Sequence, residues 1–372
     1  MNVAFLRPLF DQPGPWVSVY LDASRDGANA DHEVGLRWRA LRSDLAGQGA
    51  DPATLDALDQ AVRDQPARPG RHGLVLLARA GRVALAEPLP APPPSDEARL
   101  GPLPHVMPLL AHRGEEVTHV RVLADRTGGD LDGITADEVP RQRTVDGGET
   151  FPLRKVQAGG WSHRRYQQAA EVSWERNAGD VAAATVDLAE SIGAEVIVVG
   201  GDVRAAQLFT QRLPARWRER TVRTDLGSRH AGADNTALDD ATGRAIAEVT
   251  GRHTREVIDR YQAQAGEGTA PTGLAEVVAA LQRGQVDTVL LVNDNSSTDT
   301  LWVGPDDPTH LAVDEESLTA LGVRDPQRVR ADAALLRAIA GTDAQLVLVE
   351  PDDAPLEHGI GAVLRYADAT TS

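Results

Sequence analysis

The residues with the greatest chemical capacity lie together, in Gly159-Gly160-Trp161-Ser162-His163-Arg164-Arg165-Tyr166. Two adjacent glycines accept backbone angles that other residues resist, and they let a bulky ligand approach the main chain. An aromatic ring, a hydroxyl, an imidazole and two guanidiniums follow, ahead of a long helical pattern. Lys155 precedes Trp161 by six positions and is the only lysine; every other one of the 38 basic residues is an arginine. Arg164 and Arg165 read as first-turn residues of the helix, where the positive end of the macrodipole disfavours cations. An arginine pair there is unfavourable unless an anion stands in front of it. With Lys155 and Trp161 it has the makeup of a contact for a phosphate backbone and an exposed base or sugar. An ordinary turn into a helix accounts for the same residues locally.

Other chemistries are set aside. No glycine-rich run ends in Gly-Lys-Ser or Gly-Lys-Thr, so there is no Walker A loop. Val198 to Val203 places Gly200-Gly201 between a strand and a helix, but Asp202 at the helix start repels an anion and the stretch reads as a tight turn. The 10 histidines form no His-x-x-x-His pair. Glu116 and His119 lie on a strand at a spacing that sends them to opposite faces. Asp294-Asn295-Ser296-Ser297 is turn chemistry. With 0 cysteines there is no disulfide, thiolate ligand or cysteine nucleophile. No catalytic residue, metal site or cofactor is expected.

Charge is distributed unevenly around a formal net of -17. Gly268 to Ser372 holds 6 arginines against 17 acids, whereas Arg141 to Arg176 holds 7 basic residues against 4 acids and Val203 to Arg229 holds 7 against 2. An acidic end repels phosphate and suits a protein partner with a basic face. A basic middle can track a nucleic-acid backbone, although solvated surface explains either cluster alone. No run of apolar residues is long enough to span a bilayer and the start has no signal-peptide pattern, so a soluble, cytoplasmic protein without membrane contact is expected.

The elements that must position the loop fall into an α/β pattern. Residues 14–24 alternate as a strand. Asp31 to Leu45 reads as a helix with Leu36, Leu41 and Leu45 on one side, and Asp51 caps a second helix with Pro52 at its first position. Two strands, 73–78 and 82–86, turn at Gly81. Prolines crowd residues 88–108, which suits a stiff linker. Further on come a strand at 117–123, a short strand near Ile134, and a helix striped by Tyr166, Ala170, Trp174, Ala178, Val181, Thr185, Leu188 and Ile192. A strand at 194–199 and helices at 203–213 and 237–264 complete the middle. The last hundred residues read as helix 274–281, strands 286–292 and 301–303, helix 328–340, and strands 344–349 and 360–365. Three domains are expected: 1–111 with the proline-rich linker at 88–108, 112–267 with the double-glycine loop, and the acidic 268–372.

Three stretches resemble the archaeal and eukaryotic peptide-chain release factor and Pelota superfamily, in its bacterial branch. Family release factors carry Gly-Gly-Gln-Ser followed shortly by Arg and Phe, and here Gly159-Gly160-Trp161-Ser162 leads to Arg165-Tyr166. The segment from Gly273 to Asn293 is similar to the helix–strand unit that opens the family's C-terminal domain. Gly359-Ile-Gly-Ala-Val-Leu-Arg-Tyr366 is similar to that domain's closing strand. The resemblance implies a three-domain α/β architecture with an RNase H-like central domain.

The departures from the family pattern shape the expected function. Trp161 stands where the family's glutamine helps place a water against the peptidyl-tRNA ester, and no Asn-Ile-Lys-Ser segment for stop-codon reading is present. By resemblance the chain is a non-catalytic ribosome-binding factor of the hibernation or rescue kind, the Balon type among them. It would occupy the ribosomal A site, with the loop against ribosomal RNA or a P-site tRNA and the acidic end against a translational GTPase such as EF-Tu. A peptidyl-tRNA hydrolase using Ser162 or His163, and an RNA-binding module unconnected with ribosomes, are the alternatives.

Overall fold

The computed structural model describes the chain except residues 13, 28, 67, 136–139, 148–159, 231, 295–298 and 367–372, and for residues 160–170 it describes the backbone alone. The chain divides into two compact units, Met1–Gly114 with Thr254–Ser372, and Glu115–His253. Both are mixed α/β, as expected.

The N-terminal segment opens with a short helix α1 (Arg7–Phe10), then β1 (Trp16–Asp22), α2 (Ala30–Gln48), α3 (Pro52–Arg63), β2 (Gly73–Arg79), β3 (Arg82–Leu89), β4 (Glu97–Gly101) and α4 (Met107–Arg113). The strands form an antiparallel sheet in the order β3-β2-β1-β4. Asp51 caps α3 by accepting a 2.9 Å hydrogen bond from the Thr54 amide. Ala80 and Gly81 both have positive φ, 46° and 74°, the turn that tightens β2 into β3. On α2 the buried stripe is Val34, Trp38, Leu41 and Leu45, and Leu36 is exposed, because spacings of three and four set the inner face.

The central unit contains β5 (His119–Asp125), β6 (Gly128–Ile134), β7 (Arg141–Asp146), α5 (Gly160–Ile192), β8 (Val196–Gly201), α6 (Val203–Arg212), α7 (Ala215–Arg218), β9 (Thr221–Arg223) and the first part of α8 (Thr236–Gly266). Its sheet runs β7-β6-β5-β8-β9, antiparallel through β7, β6 and β5 and parallel from β5 through β9. One face packs Val120, Val122, Leu131, Ile197 and Val199 against α5 and α6. The other packs Val196 and Val198 against Leu238, Ala241, Ala245 and Val249 of α8. Helices on both faces explain why β8 is apolar without alternation.

The C-terminal segment comprises α9 (Gly273–Gln282), β10 (Val286–Val292), β11 (Thr300–Val303), β12 (Leu311–Ala312), α10 (Glu315–Ala320), β13 (Gln327–Arg330), α11 (Ala331–Gly341), β14 (Gln345–Val349) and β15 (Ile360–Leu364). One sheet is ordered β14-β10-β15 and the other β12-β11-β13. Residues 328–330, expected to begin a helix, are strand because Gln327–Arg330 pairs antiparallel with Thr300–Val303.

The N- and C-terminal segments, expected as separate domains, share one core. Leu6, Trp16, Tyr20, Val75, Leu77 and Leu109 pack in the same cluster as Val277, Leu281, Leu336 and Ile339. The proline-dense stretch is not a spacer. It supplies β4 and the start of α4, and its Leu89, Val106 and Met107 are buried in that cluster.

Candidate nucleic-acid interface

The candidate loop enters the central unit through α5. Lys155 and Gly159 lie outside the described residues. Gly160, Trp161, Ser162, His163, Arg164, Arg165 and Tyr166 have helical backbone, and their side chains lie outside the description. Gly160 to Tyr166 are the first described residues of α5, and Arg164 and Arg165 lie on its helical backbone.

Further along, α5 is seated by close packing. Ala178, Val181, Thr185 and Leu188 are buried, as the sequence stripe predicted. The glycines of β6 set the distance of approach. A Cβ on Gly129 would lie 2.8 Å from Val181 Cγ1, and one on Gly133 would lie 3.1 Å from Ile192 Cδ1. The sequence shows only a short strand near Ile134 here, since glycine and aspartate are poor strand formers. At the near end of the packed region, Asn177 Nδ2 donates to the Arg126 carbonyl at 2.9 Å.

Trp174, placed on the apolar stripe by its spacing, is only half-buried. The Arg126 guanidinium lies 4.6 Å from its ring centroid and that of Arg204 lies 5.8 Å away. Stacking of this kind contributes about 0.5–1 kcal/mol at an exposed site. Sequence reasoning missed this clamp because Arg126 and Arg204 are far from Trp174 along the chain.

The basic character of residues 203–229 is largely internal. Arg204 pairs with Glu171 and Arg212 with Glu175, each at 2.9 Å, and Arg216 pairs with Glu190. Arg218 donates to the carbonyls of Gln211 and Leu213. Arg229 spans Asp125, Asp130 and Asp146 at 3.2, 3.0 and 3.4 Å. Its guanidinium pKa is raised, first by the Asp130 hydrogen bond and against the effect of burial. Asp125 lies below the usual carboxylate range: burial works upward, and hydrogen bonds from Thr127 with the Arg229 charge outweigh it. The Asp202 carboxylate accepts from the Arg204 and Ala205 amides at 3.0 Å, occupying the start of α6 as its sequence position implied.

His119 is buried, with its ring Nδ1 2.7 Å from the Val117 carbonyl. Among the described residues no group of acids and histidines is placed to hold a metal ion. The Asp294–Ser297 turn falls largely outside the described residues. Among the described residues no helix is long and apolar enough to cross a membrane.

A family model, bacterial archaeo-eukaryotic release factor family 2, matches residues 118–267. The uncharacterized protein Rv2629 of Mycobacterium tuberculosis (strain ATCC 25618 / H37Rv) is 33% identical over 97% of this chain and 96% of its own length. The chain belongs to the bacterial archaeo-eukaryotic release factor family. The matched residues run from β5 to the end of α8 and so contain the Gly159-Gly160-Trp161 stretch. Among solved structures, the archaeal translation termination factor aRF1 is 16% identical, covers 97% of this chain and 95% of its own, and has a TM-score of 0.24. The Pelota of Archaeoglobus fulgidus is 13% identical, covers 98% and 91%, and has a TM-score of 0.36. These superpositions are loose, and the family assignment comes from the model matched at residues 118–267.

Proposed function

We propose that this family member is a non-catalytic ribosome-binding factor that occupies the A site during hibernation, stress or rescue. The observation that carries the reading is Trp161, directly after Gly159-Gly160 in a chain of release-factor ancestry. An indole has one N–H donor and no acceptor, so it cannot hold a water as a carboxamide does. The start of α5, with Lys155, Trp161, Ser162, His163, Arg164, Arg165 and Tyr166, is the contact for ribosomal RNA or the end of a P-site tRNA. The pairing of the α6 and α7 arginines with α5 glutamates supports this, because it leaves the α5 start as the better candidate for phosphate.

The acidic C-terminal segment is the face for a translational GTPase such as EF-Tu. Around α10, Val313 and Leu321 are exposed apolar residues beside exposed Asp314, Glu315, Glu316 and Asp325, a composition that fits a basic protein surface. Two measurements test the reading together. The tagged protein should sediment with ribosomes, more so from starved than from growing cells. Added to ribosome-bound peptidyl-tRNA at saturation, it should release no more peptide than the blank. Release above the blank that is lost in Ser162→Ala or His163→Ala would replace this reading with a peptidyl-tRNA hydrolase. Failure to sediment in either state would remove the ribosome from the proposal.

A further inference from the structure

A cavity of about 570 Å³ in the first unit is lined by residues of β4 and β13. Both are edge strands of their sheets. Arg99 comes from β4, and Arg328 and Arg330 come from β13. Leu100, Leu103 and Val329 add apolar lining. In a segment with 6 arginines against 17 acids, two of the six stand at this one cavity.

The guanidiniums are only partly satisfied. Arg99 pairs with Glu97 through Nε, and Arg330 pairs with Asp332 through Nε and one terminal nitrogen, the latter at 2.9 Å. Arg328 Nε donates to Thr300 Oγ1 at 2.8 Å. Five N–H donors on each leave terminal nitrogens for a ligand. Burial first, and the neighbouring Arg330 charge second, push the Arg99 guanidinium below its ordinary pKa, and the Asp332 charge offsets this only in part. Guanidiniums that repel one another are relieved by an anion between them.

His105 is an independent observation. The residue is 5% exposed and lines the same cavity; its Nδ1 makes no hydrogen bond and lies 3.5 Å from Asp332 Oδ2, and its Nε2 lies 3.8 Å from Glu97 Oε1. Buried polar atoms without partners are rare and call for one. An added peptide strand does not fit. Gln48 Nε2 donates to the Ala98 carbonyl at 3.0 Å, and the Leu100 amide donates to Gln48 Oε1 at 2.8 Å, so that side chain already occupies the β4 edge. The volume is that of a small-molecule site, and guanidinium forks match phosphate oxygens.

We propose that this cavity binds a phosphorylated small molecule of about mononucleotide size, with its phosphate on Arg99, Arg328 and Arg330 and its body against Leu100, Leu103 and Val329. The site is separate from the ribosome contact proposed above and stands or falls independently of it.

The test is calorimetric titration of the full chain with AMP, inorganic phosphate and adenosine. AMP should bind saturably with a Kd of about 1 mM or below, at least tenfold tighter than adenosine. Arg328→Glu, at an exposed position, should weaken AMP at least tenfold and abolish the rise in Tm that AMP gives the native chain. AMP should also shift the His105 ring signals in the NMR spectrum. If Arg328→Glu lowers the Tm of the free protein, Arg99→Gln takes its place in the same comparison. No saturable binding of either AMP or phosphate overturns the proposal, as does adenosine binding as tightly as AMP or undiminished binding by the variants. Tighter binding of a single-stranded RNA oligonucleotide than of AMP at this site would also overturn it, in favour of a nucleic-acid contact.

Discussion

His253 Nε2 lies 2.7 Å from Glu195 Oε2, while Nδ1 of the same ring lies 3.0 Å from Glu115 Oε1. Glu115 and His253 are the first and last residues of the central unit, so one imidazole ties together its two ends. Burial lowers the His253 pKa, but the Glu115 hydrogen bond and the charges of Glu195 and Glu115 outweigh it, and the net shift is upward from 6.5. A proton held more tightly in the folded state stabilises that state. The contribution is therefore complete below the ordinary histidine value and is lost as pH rises through the raised folded value.

The native chain should accordingly lose stability relative to His253→Gln as pH rises above the ordinary histidine value of 6.5 and through the raised folded one. Denaturant midpoints of the two proteins across that range provide the check. Parallel curves would mean that His253 titrates alike folded and unfolded.

Gly129 is required by the packing of α5 and not by its backbone angles. A Cβ there would meet Val181 Cγ1 at 2.8 Å, and a branched terminus cannot swing aside cheaply. Gly129→Ala should cost about 1–3 kcal/mol, the usual range for overpacking a core. Val181→Ala in the same chain should recover part of that loss, a coupling that a double-mutant cycle measures directly. Additive losses would place the strain elsewhere.

Arg229 holds three aspartates from three different strands, and its side chain is only 14% exposed. Arg229→Ala should destabilise by about 1–3 kcal/mol, because Asp125, Asp130 and Asp146 would be left to repel one another. The loss should shrink as pH falls toward the carboxylate range and those groups protonate. A pH-independent loss would assign the effect to packing of the arginine stem.

Local signals in the sequence were readable where the cause was local. Asp51-Pro52 announces α3, and Gly81 announces the turn between β2 and β3, because capping and turn angles depend on adjacent residues. Residues 328–330 mislead because their strand state is imposed by Thr300–Val303, distant in sequence. The prolines of 88–108 suggest an exposed spacer, yet the apolar residues between them decide the outcome by burying against α9 and α11. For the candidate interface, residue types and their order were legible. The neutralisation of the α6 and α7 arginines was not, since Glu171, Glu175 and Glu190 reach them only through the packing of α5 on the sheet.

The shared core of the first unit makes a further prediction. Trp16, Val75 and Leu77 of the N-terminal sheet lie in one cluster with Leu281, Leu336 and Ile339. Removing residues 268–372 should therefore unfold the N-terminal segment as well, giving lost near-ultraviolet circular dichroism and protease sensitivity within residues 1–114. A deletion is thus no test of partner binding. Glu315→Lys with Glu316→Lys and Asp325→Lys, all at exposed positions, keeps the core and should reduce association with a translational GTPase. A truncated chain with a protease-resistant N-terminal segment would show that the two segments fold independently.

Arg164 and Arg165 decide whether the start of α5 is a nucleic-acid contact. Both lie on the helical backbone of α5, and their order after the double glycine puts them near its start, where the macrodipole disfavours cations, so replacing both with glutamate should leave the Tm native or slightly raised. The same change puts negative charge where phosphates are proposed to lie. Ribosome affinity should fall about tenfold or more, and its dependence on salt should flatten, since each lost phosphate contact also loses its released counterions. Trp161→Ala should weaken binding as well but keep the native salt slope, because stacking releases no ions. Affinities over a salt series, with the Tm of each variant, separate the outcomes. Native affinity in the double glutamate variant would mean that this face touches no nucleic acid. A fall in Tm together with affinity would make the arginines structural, and the basic loop would then be only the turn that opens the helix.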